Sequence, residues 1–330
     1  MKMNYNTHTL ANGLRIIHLP SAQPVVYCGY AVGAGTRDEE LGREEGMAHF
    51  CEHITFKGTE RRSSMQILGH LESVGGDLNA FTNKEETVYH AAVLKENIDR
   101  AVDLLTDIVF HSTYPQAEID KEVEVIVDEI ESYNDSPAEL VYDLFENAVF
   151  GGHPLGHNIL GTAEKLRRYT TADALRFTRR YYRPENSVFF AYGDVDFQKL
   201  VRLLERANAA DAAAESVAAV SLPPQQSAIS DNSCCGGGKD TAAALLPPYV
   251  AQHIEHHMDT HLAHVMLGTR AYDVHDERRI ALYLLNNILG GPGMTARLNV
   301  SLRERNALVY TVESMAQSYS DTGLWAVYFG

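Results

Sequence analysis

The sequence is poor in cysteine and contains no long apolar segment. Its 4 cysteines show neither a disulfide framework nor the paired Cys-x-x-Cys spacing of a zinc site. No run of about 18 or more apolar residues occurs, which argues against a membrane-spanning helix. Residues 1–6 contain neither an apolar signal core nor an arginine-rich amphipathic leader. We therefore expect a protein of the reducing cytoplasm, with no membrane partner.

Basic residues are also scarce. The chain has 28 Lys and Arg residues against 44 Asp and Glu residues, which gives a formal net charge of −16. This excess argues against nucleic acid as a partner, and it is compatible with a cleft that favours basic or unfolded peptides. The content of 45% hydrophobic and 22% charged residues is that of a soluble globular protein. A length of 330 residues predicts two domains.

One short motif suggests a specific chemistry. His49 and His53 are four residues apart, so on a helix their imidazoles share one face and can bind a single zinc ion. Glu52 lies close to the same face, where a carboxylate can act on a water activated by the metal. The order His-x-x-Glu-His is the inverted form of the commoner zinc-peptidase motif. Composition alone would produce this pattern with a probability of roughly 0.1, so the hypothesis needs a third ligand.

The helix predicted after Pro115 offers carboxylates for that role. Glu122 and Glu129 are seven residues apart, two turns along one face of this helix. Val125 and Ile126 lie beside them, which suggests that this face points to the core. Glutamates on a helix are usually paired at the surface, but buried carboxylates need a metal ion or a partner.

Hydrophobic periodicity predicts alternating strands and helices up to about residue 207. Thr9–Ile17 is predicted to be a hairpin in which Asn12-Gly13 supplies two positive-φ turn positions. Further strands are predicted at 25–32, 77–82, 87–93 and 187–194. Helices are predicted around the zinc motif, at 64–74, 96–109, from 115 to before 137, at 138–149 and 171–182, and as a short helix ending near Ala207.

The composition changes after residue 207. Residues 208–248 are rich in Ala, Ser, Pro, Gln and Gly and are predicted to be a flexible linker between a first domain, 1–207, and a second segment, 249–330. The second segment resembles a degraded copy of the first. It has a strand at His261–Gly268, a helix at Asp276–Leu289 and a two-strand pattern around Gln317–Trp325, but no zinc motif. We expect it to be a partial domain, truncated at its C-terminal end.

Five histidines at the start of the second segment are a separate candidate for metal binding. They are His253, His256, His257, His261 and His264. Their spacing mixes strand and helix periods, and no carboxylate or cysteine completes a regular ligand set, so a polar turn entering a strand is the favoured interpretation.

Taken together, the motifs resemble the pitrilysin/insulinase family of zinc peptidases, in the branch that contains bacterial and mitochondrial processing peptidases. The resemblance covers residues 9–207 and 249–330. It is carried by 49–53, 75–82, 122–129 and 152–156, together with Arg303 and Tyr310. It implies an α+β fold of two related domains, each an antiparallel sheet packed with helices, that together form a clamshell.

The resemblance also implies roles for individual residues. His49, His53 and Glu129 would bind one Zn2+ per chain, and Glu122 would orient a ligand histidine. Glu131 is close in sequence to Glu129 but lies about 200° around the helix from it, so it is not favoured as the ligand. Glu52 would be the general base in peptide-bond hydrolysis.

The substrate site follows from the same resemblance. Arg303 and Tyr310 look like an Arg/Tyr pair that contacts substrate from the second domain. Asn79, Ala80 and Phe81 look like the edge strand on which an extended peptide adds as a further strand. We therefore expect a zinc endopeptidase that acts on peptides or unfolded polypeptide segments. Association as a homodimer, or as a heterodimer with a related chain, is compatible with this interpretation.

Two alternatives remain open from the sequence. A scaffold or regulatory subunit of the same fold would pair with an active partner and would not cleave peptides itself. A metal-storage module that uses the 15 histidines would bind several zinc ions per chain rather than one.

Overall fold

The computed structural model describes residues 4–219 and 246–330. Within these ranges the chain has a mixed α+β fold. The strands are β1 (Asn6–Thr9), β2 (Arg15–Pro20), β3 (Val25–Val32), β4 (Asp77–Thr82), β5 (Thr87–Leu94), β6 (Ser187–Gly193), β7 (Val265–Ala271), β8 (Val312–Ser318) and β9 (Gly323–Phe329). The helices are α1 (Met47–Thr55), α2 (Ser64–Glu72), α3 (Ile98–Phe110), α4 (Gln116–Asn134), α5 (Pro137–Phe150), α6 (Ala163–Leu166), α7 (Thr171–Tyr181), α8 (Phe197–Ala219) and α9 (Arg278–Gly290). None of the helices in the described ranges has the length and hydropathy needed to cross a bilayer.

The first six strands form one sheet in the order β1-β2-β6-β3-β5-β4. All its neighbours pair antiparallel except β2 and β6, which are parallel. The predicted strands at 25–32 and 77–82 are confirmed with the same bounds. β4 lies at the edge of the sheet, so among the described residues only β5 pairs with it.

The first hairpin differs from its prediction at the turn. β1 and β2 do pair antiparallel, but five residues, 10–14, connect them. Leu10 closes this loop through backbone hydrogen bonds with Gly13 and Leu14. Only Gly13 has a positive φ, +86°, while the Asn12 side chain accepts a hydrogen bond from the Leu14 N–H. The predicted two-residue turn is therefore wrong, because the asparagine acts through its side chain rather than its backbone.

The predicted start of the linker is also wrong. Helix α8 does not end near Ala207 but continues to Ala219. Residues 209–219 contain seven alanines, and alanine has the highest intrinsic helix propensity, which explains the extension. Residues 220–245 of the predicted linker, including Cys234 and Cys235, lie outside the described residues. At the other end, Leu246 packs against a hydrophobic cluster and does not belong to a linker.

The described chain divides into two compact units that differ from the predicted domains. The first contains residues 4–40, 46–124 and 164–219, and the second contains 41–45, 125–163 and 246–330. Residues 125–163 thus group with the C-terminal segment and not with the rest of 1–207. The reason is the packing of α5, whose Val149 and Phe150 are buried in one cluster with Leu155, Tyr319 and Leu324.

The second unit contains a three-stranded antiparallel sheet in the order β7-β9-β8. This order repeats that of β3-β5-β4 in the first sheet, in agreement with the internal repeat inferred from the sequence. The strand predicted at 261–268 begins four residues later than expected, at Val265, so His261 and His264 precede β7. Residues 249–330 contain no His-x-x-Glu-His motif.

A short loop before α1 is held against the turn between β4 and β5. The backbone N–H groups of Thr36 and Arg37 donate to the carbonyls of Asn83 and Lys84, at 3.3 and 2.7 Å. Gly35 makes this contact close: a Cβ added there would lie 2.2 Å from the Asn83 oxygen and 2.5 Å from the Lys84 carbonyl carbon. The absence of a side chain at residue 35 therefore allows the loop and the turn to pack together.

We expect Gly35→Ala to lower the free energy of unfolding by about 1–3 kcal/mol, because the new methyl group must displace backbone rather than a flexible side chain. Urea denaturation measures the effect. Gly69→Ala is the control, since a Cβ at this position in α2 meets no atom within 4 Å. Helix propensity predicts that this control gains up to about 1 kcal/mol. Equal stability of the two variants would contradict the close contact at Gly35.

Candidate metal and catalytic site

The zinc motif lies on α1, whose first turn is held by a buried carboxylate. Gly46 precedes the helix with φ +81°. Glu39, 4% exposed, accepts hydrogen bonds from the backbone N–H groups of Gly46 and Ala48, both at 2.9 Å. A carboxylate at this end of a helix satisfies N–H groups that have no partner within the helix and interacts favourably with its dipole. Sequence reasoning did not single out Glu39, although it lies in an acidic stretch before the helix.

The two histidines of the motif lie on one face of α1, as predicted. Their ring centroids are 4.6 Å apart and the rings meet edge to face. His49 is buried and His53 is half-buried. Cys51, between them in sequence, is a buried thiol. The helix therefore presents both imidazoles together.

Helix α4 brings Glu129 to these histidines. One ligand atom from each of His49, His53 and Glu129 lies within 4.8 Å of the other two, and among the described residues this is the one group of three or more such side chains. Tetrahedral zinc with bonds of about 2.0–2.1 Å places its ligand atoms roughly 3.4 Å apart, a spacing that small side-chain movements here can reach. Two imidazole nitrogens and a carboxylate match the ligand set of a catalytic zinc site, so these residues fit the ion.

Glu122 contacts one of these imidazoles. Its Oε1 lies 3.1 Å from Nδ1 of His53, and its Oε2 lies 2.6 Å from Nζ of Lys57. Burial raises the pKa of Glu122, but the hydrogen bonds from His53 and Lys57 outweigh it and hold the pKa below its ordinary value. Because the carboxylate contacts Nδ1, Nε2 of the same ring is the nitrogen left for a metal ion. Lys57 was missed in the sequence, because it lies beyond the end of α1 at Thr55, where helical spacing does not predict its position.

The packing of α4 corrects one detail of the sequence argument. Val125 is 53% exposed, whereas Ile126 is buried. The buried stripe consists of Ile119, Val123, Ile126, Val127 and Ile130. Glu129 is half-buried beside it, and Glu131 is exposed. The predicted inward direction of the Val125 side is wrong, because that residue lies on the opposite side of the helix from the stripe.

Glu52 has a partner that the sequence did not reveal. It is 9% exposed, and its Oε2 accepts a hydrogen bond of 2.6 Å from the hydroxyl of Thr82. Thr82 is the last residue of β4, thirty positions along the chain. No local pattern links a threonine in a strand to a glutamate in a distant helix, so only the fold shows the contact.

Asn79, Ala80 and Phe81 occupy the edge strand β4. Asn79 and Phe81 are exposed on one face, and Ala80 is half-buried on the other. The Asn79 side chain accepts a hydrogen bond from the Ala80 N–H at 2.8 Å. This edge therefore has the position in the sheet that the sequence predicts for a peptide-binding strand.

Arg303 and Tyr310 lie in the second unit. Arg303 is in a π-helical segment, Asn299–Arg305, with its Nε 3.9 Å from the carboxylate of Glu304. Tyr310 precedes β8 with a side chain that is 76% exposed, and its backbone N–H donates to the Gly330 carbonyl. Their contact with substrate stays a prediction.

The histidine-rich stretch before β7 does not form a ligand cluster in the described part of the chain. His253 pairs with Glu255 at 3.1 Å, and the Nδ1 of His264 lies 2.8 Å from the hydroxyl of Tyr328. His256 and His257 are exposed. These contacts agree with a polar segment that leads into a strand.

Two family profiles match most of the chain. One, described as "Insulinase (Peptidase family M16)", matches residues 16–163, and the other, "Peptidase M16 inactive domain", matches residues 168–330. The profile boundary lies well before the predicted boundary at residue 207. The part of the chain that matches the inactive-domain profile is the part that has no His-x-x-Glu-His.

Two bacterial proteins with similar sequences are named as zinc proteases. The uncharacterized zinc protease YmxG of Bacillus subtilis is 34% identical over 325 residues, which cover 98% of this chain and 73% of that protein. An uncharacterized zinc protease of Streptomyces coelicolor, SCO5738, is 36% identical over 324 residues, 98% of this chain and 66% of that protein. This chain thus spans about two thirds to three quarters of the length of these relatives.

Solved structures show the same fold at lower identity. A protease from Helicobacter pylori matches with a TM-score of 0.82 at 22% identity, covering 99% of this chain and 74% of that one. A putative M16-like peptidase from Alicyclobacillus acidocaldarius matches with a TM-score of 0.76 at 20% identity, covering 100% and 75% of the two chains.

We expect Glu39→Gln to lower the free energy of unfolding by about 1–3 kcal/mol, because the amide cannot accept both backbone hydrogen bonds in a buried position. Denaturant unfolding measures the change. Glu45→Gln is the control, since this half-buried carboxylate accepts a backbone hydrogen bond from Gly42, which lies outside α1. A loss of stability no larger than that of the control would show that Glu39 does not hold the start of α1.

We expect Glu122→Gln to weaken zinc binding about 10- to 100-fold, because the ligand His53 loses its carboxylate partner. Competition with a chromophoric chelator measures the dissociation constant. Glu124→Gln, on the same helix but paired with Arg167, should leave zinc affinity unchanged. Unchanged affinity in Glu122→Gln would refute the orienting role.

Proposed function

Because the chain belongs to the insulinase (M16) family of peptidases, we propose that it is a zinc-dependent endopeptidase. Its substrates are peptides or extended segments of unfolded proteins, and it falls within the processing-peptidase-like branch. The observation that carries the proposal is the convergence of His49, His53 and Glu129, with Glu52 on the same helix as the two histidines.

The ligand set defines what the metal contributes. His49, His53 and Glu129 would hold a zinc ion, which would supply Lewis-acid chemistry at this site: activation of water near neutral pH and polarisation of the scissile carbonyl. The carboxylate of Glu122 supports this binding by holding the His53 ring in one orientation.

Glu52 is the proposed general base. Its carboxylate takes the proton from the attacking water and later delivers it to the departing amine. Glu52 is almost entirely shielded from bulk solvent. Electrostatic interactions are stronger in such an environment than in water. A single carboxylate beside the ligands can perform both proton transfers, since the first transfer leaves it protonated for the second.

The edge strand β4 is the proposed binding site for substrate. An extended peptide pairs with the backbone of Asn79, Ala80 and Phe81, so affinity comes mainly from main-chain hydrogen bonds. Folded proteins offer few free extended segments, which explains a preference for unfolded ones. Arg303 and Tyr310 are proposed to donate hydrogen bonds to the tetrahedral oxyanion.

A non-catalytic scaffold or regulatory subunit is the second candidate. The name of the profile that matches residues 168–330, an inactive domain, is compatible with it. The residues that could bind zinc all lie outside that range, within the part matched by the other profile, and this favours the peptidase. A dimer, with itself or with a related chain, and a cytoplasmic location are further proposals.

We expect one zinc ion per chain and cleavage of a quenched unfolded peptide that chelator abolishes. Glu52→Gln should retain zinc and lose at least about 100-fold in kcat/KM, because general base catalysis contributes about 10²–10⁴-fold. Metal analysis and fluorescence kinetics measure the two quantities. Several zinc ions per chain would favour metal storage. One zinc ion without any cleavage by the wild type would favour the scaffold.

A further inference from the structure

The contact between Thr82 and Glu52 joins the edge strand to the proposed base. The hydroxyl of Thr82 donates to Oε2 of Glu52 at 2.6 Å, and both side chains are buried. An ionised carboxylate has only acceptors, so the hydroxyl is the donor. The distance is that of a charge-assisted hydrogen bond, which is stronger than one between neutral groups.

The strand geometry directs this hydroxyl inward. Side chains alternate between the two faces of a strand, so Thr82 shares its face with Ala80 and not with Asn79 or Phe81. The residues on the outer face are exposed, whereas Ala80 is half-buried and Thr82 is buried. Thr82 therefore points away from the solvent-exposed face of the strand and toward α1.

Backbone contacts fix the position of Thr82. It lies opposite Thr87 of β5, and the turn between them is closed by a hydrogen bond from Asn83 N–H to the Glu86 carbonyl. The same turn holds the loop that begins at Gly35, and Glu39 at the end of that loop holds the first turn of α1. Strand end, loop and helix start thus form one hydrogen-bonded frame around the hydroxyl and the carboxylate.

We propose that Thr82 is a positioning residue, which holds the carboxylate of Glu52 in the orientation needed to accept a proton from water. This inference rests on the proposed peptidase function, because it assigns Thr82 a role through the base of that reaction. It adds a second consequence: substrate pairs with β4, and the end of β4 orients the base. The six residues of β4 therefore align both the bound substrate and the carboxylate of Glu52.

A positioning role for Thr82 predicts an effect on the chemical step but not on the binding of substrate or zinc. Removal of the hydroxyl leaves the Asn79–Phe81 backbone and the zinc ligands in place, so substrate affinity and zinc affinity should not change. The carboxylate loses its fixed orientation, and a misplaced catalytic group slows the chemical step. Thr82→Val is the suitable variant, because valine has nearly the same shape as threonine and has no hydroxyl.

We expect Thr82→Val to lower kcat about 10- to 100-fold, with KM and the zinc dissociation constant within about twofold of wild type. Thr82→Ser restores the donor and should return kcat to within about threefold of wild type. The matched control is Thr87→Val, which removes the hydroxyl of the opposing residue. That hydroxyl donates to the Ala34 carbonyl rather than to Glu52, so stability can fall while kcat stays within about threefold.

Several results would overturn the inference. These are a Thr82→Val enzyme with wild-type kcat, a Thr82→Ser enzyme as slow as Thr82→Val, or an equal loss of kcat in Thr87→Val. A wild type without zinc-dependent cleavage would reject the proposed function instead, and crystal structures of the variants then test Thr82 alone. The Glu52 carboxylate should keep its position in Thr82→Ser and leave it in Thr82→Val. An unmoved carboxylate in Thr82→Val would refute the positioning role.

Discussion

The whole candidate site depends on how the first turn of α1 is held. Two backbone N–H groups there donate to the buried carboxylate of Glu39, and this contact fixes the helix that presents His49, Glu52 and His53. Donors offset the cost of burying three of the shielded carboxylates in the region: backbone amides for Glu39, Thr82 for Glu52, and His53 with Lys57 for Glu122. The helix that carries the candidate catalytic groups is thus supported at its start as well as around its side chains.

The repeated strand order puts the location of the site in context. The sheets that contain β3-β5-β4 and β7-β9-β8 share a topology, but among the described residues only the first has candidate metal ligands near its strands in sequence: His49 and His53 on α1, between β3 and β4, and Glu129 on α4, after β5. The second unit keeps the scaffold and lacks the motif, in keeping with the inactive-domain profile that covers residues 168–330.

The sequence predicted best what depends on local pattern. The i, i+4 histidines, the strands at 25–32 and 77–82 and the edge position of Asn79–Phe81 all follow from short-range periodicity or a recognised motif. It failed where distant packing decides. α5 belongs with the C-terminal sheet through contacts more than a hundred residues apart, such as that between Phe150 and Tyr319. Composition was misleading at α8 for a different, local reason: the alanine-rich stretch that suggested a linker continues the helix. The contacts of Thr82 with Glu52 and of Lys57 with Glu122 join residues that are distant in sequence, so only the folded structure reveals them.

The open edge of β4 also bears on self-association. A strand with unpaired N–H and C=O groups can bind the same edge of another copy and start aggregation. β4 is only six residues long, and it begins with an exposed, charged residue, Asp77. Short length and a charged end are the means by which natural sheets keep their edges from aggregating. An edge left open for an extended peptide, as proposed for β4, cannot be covered permanently, so its short length and charged end are left to discourage pairing between copies.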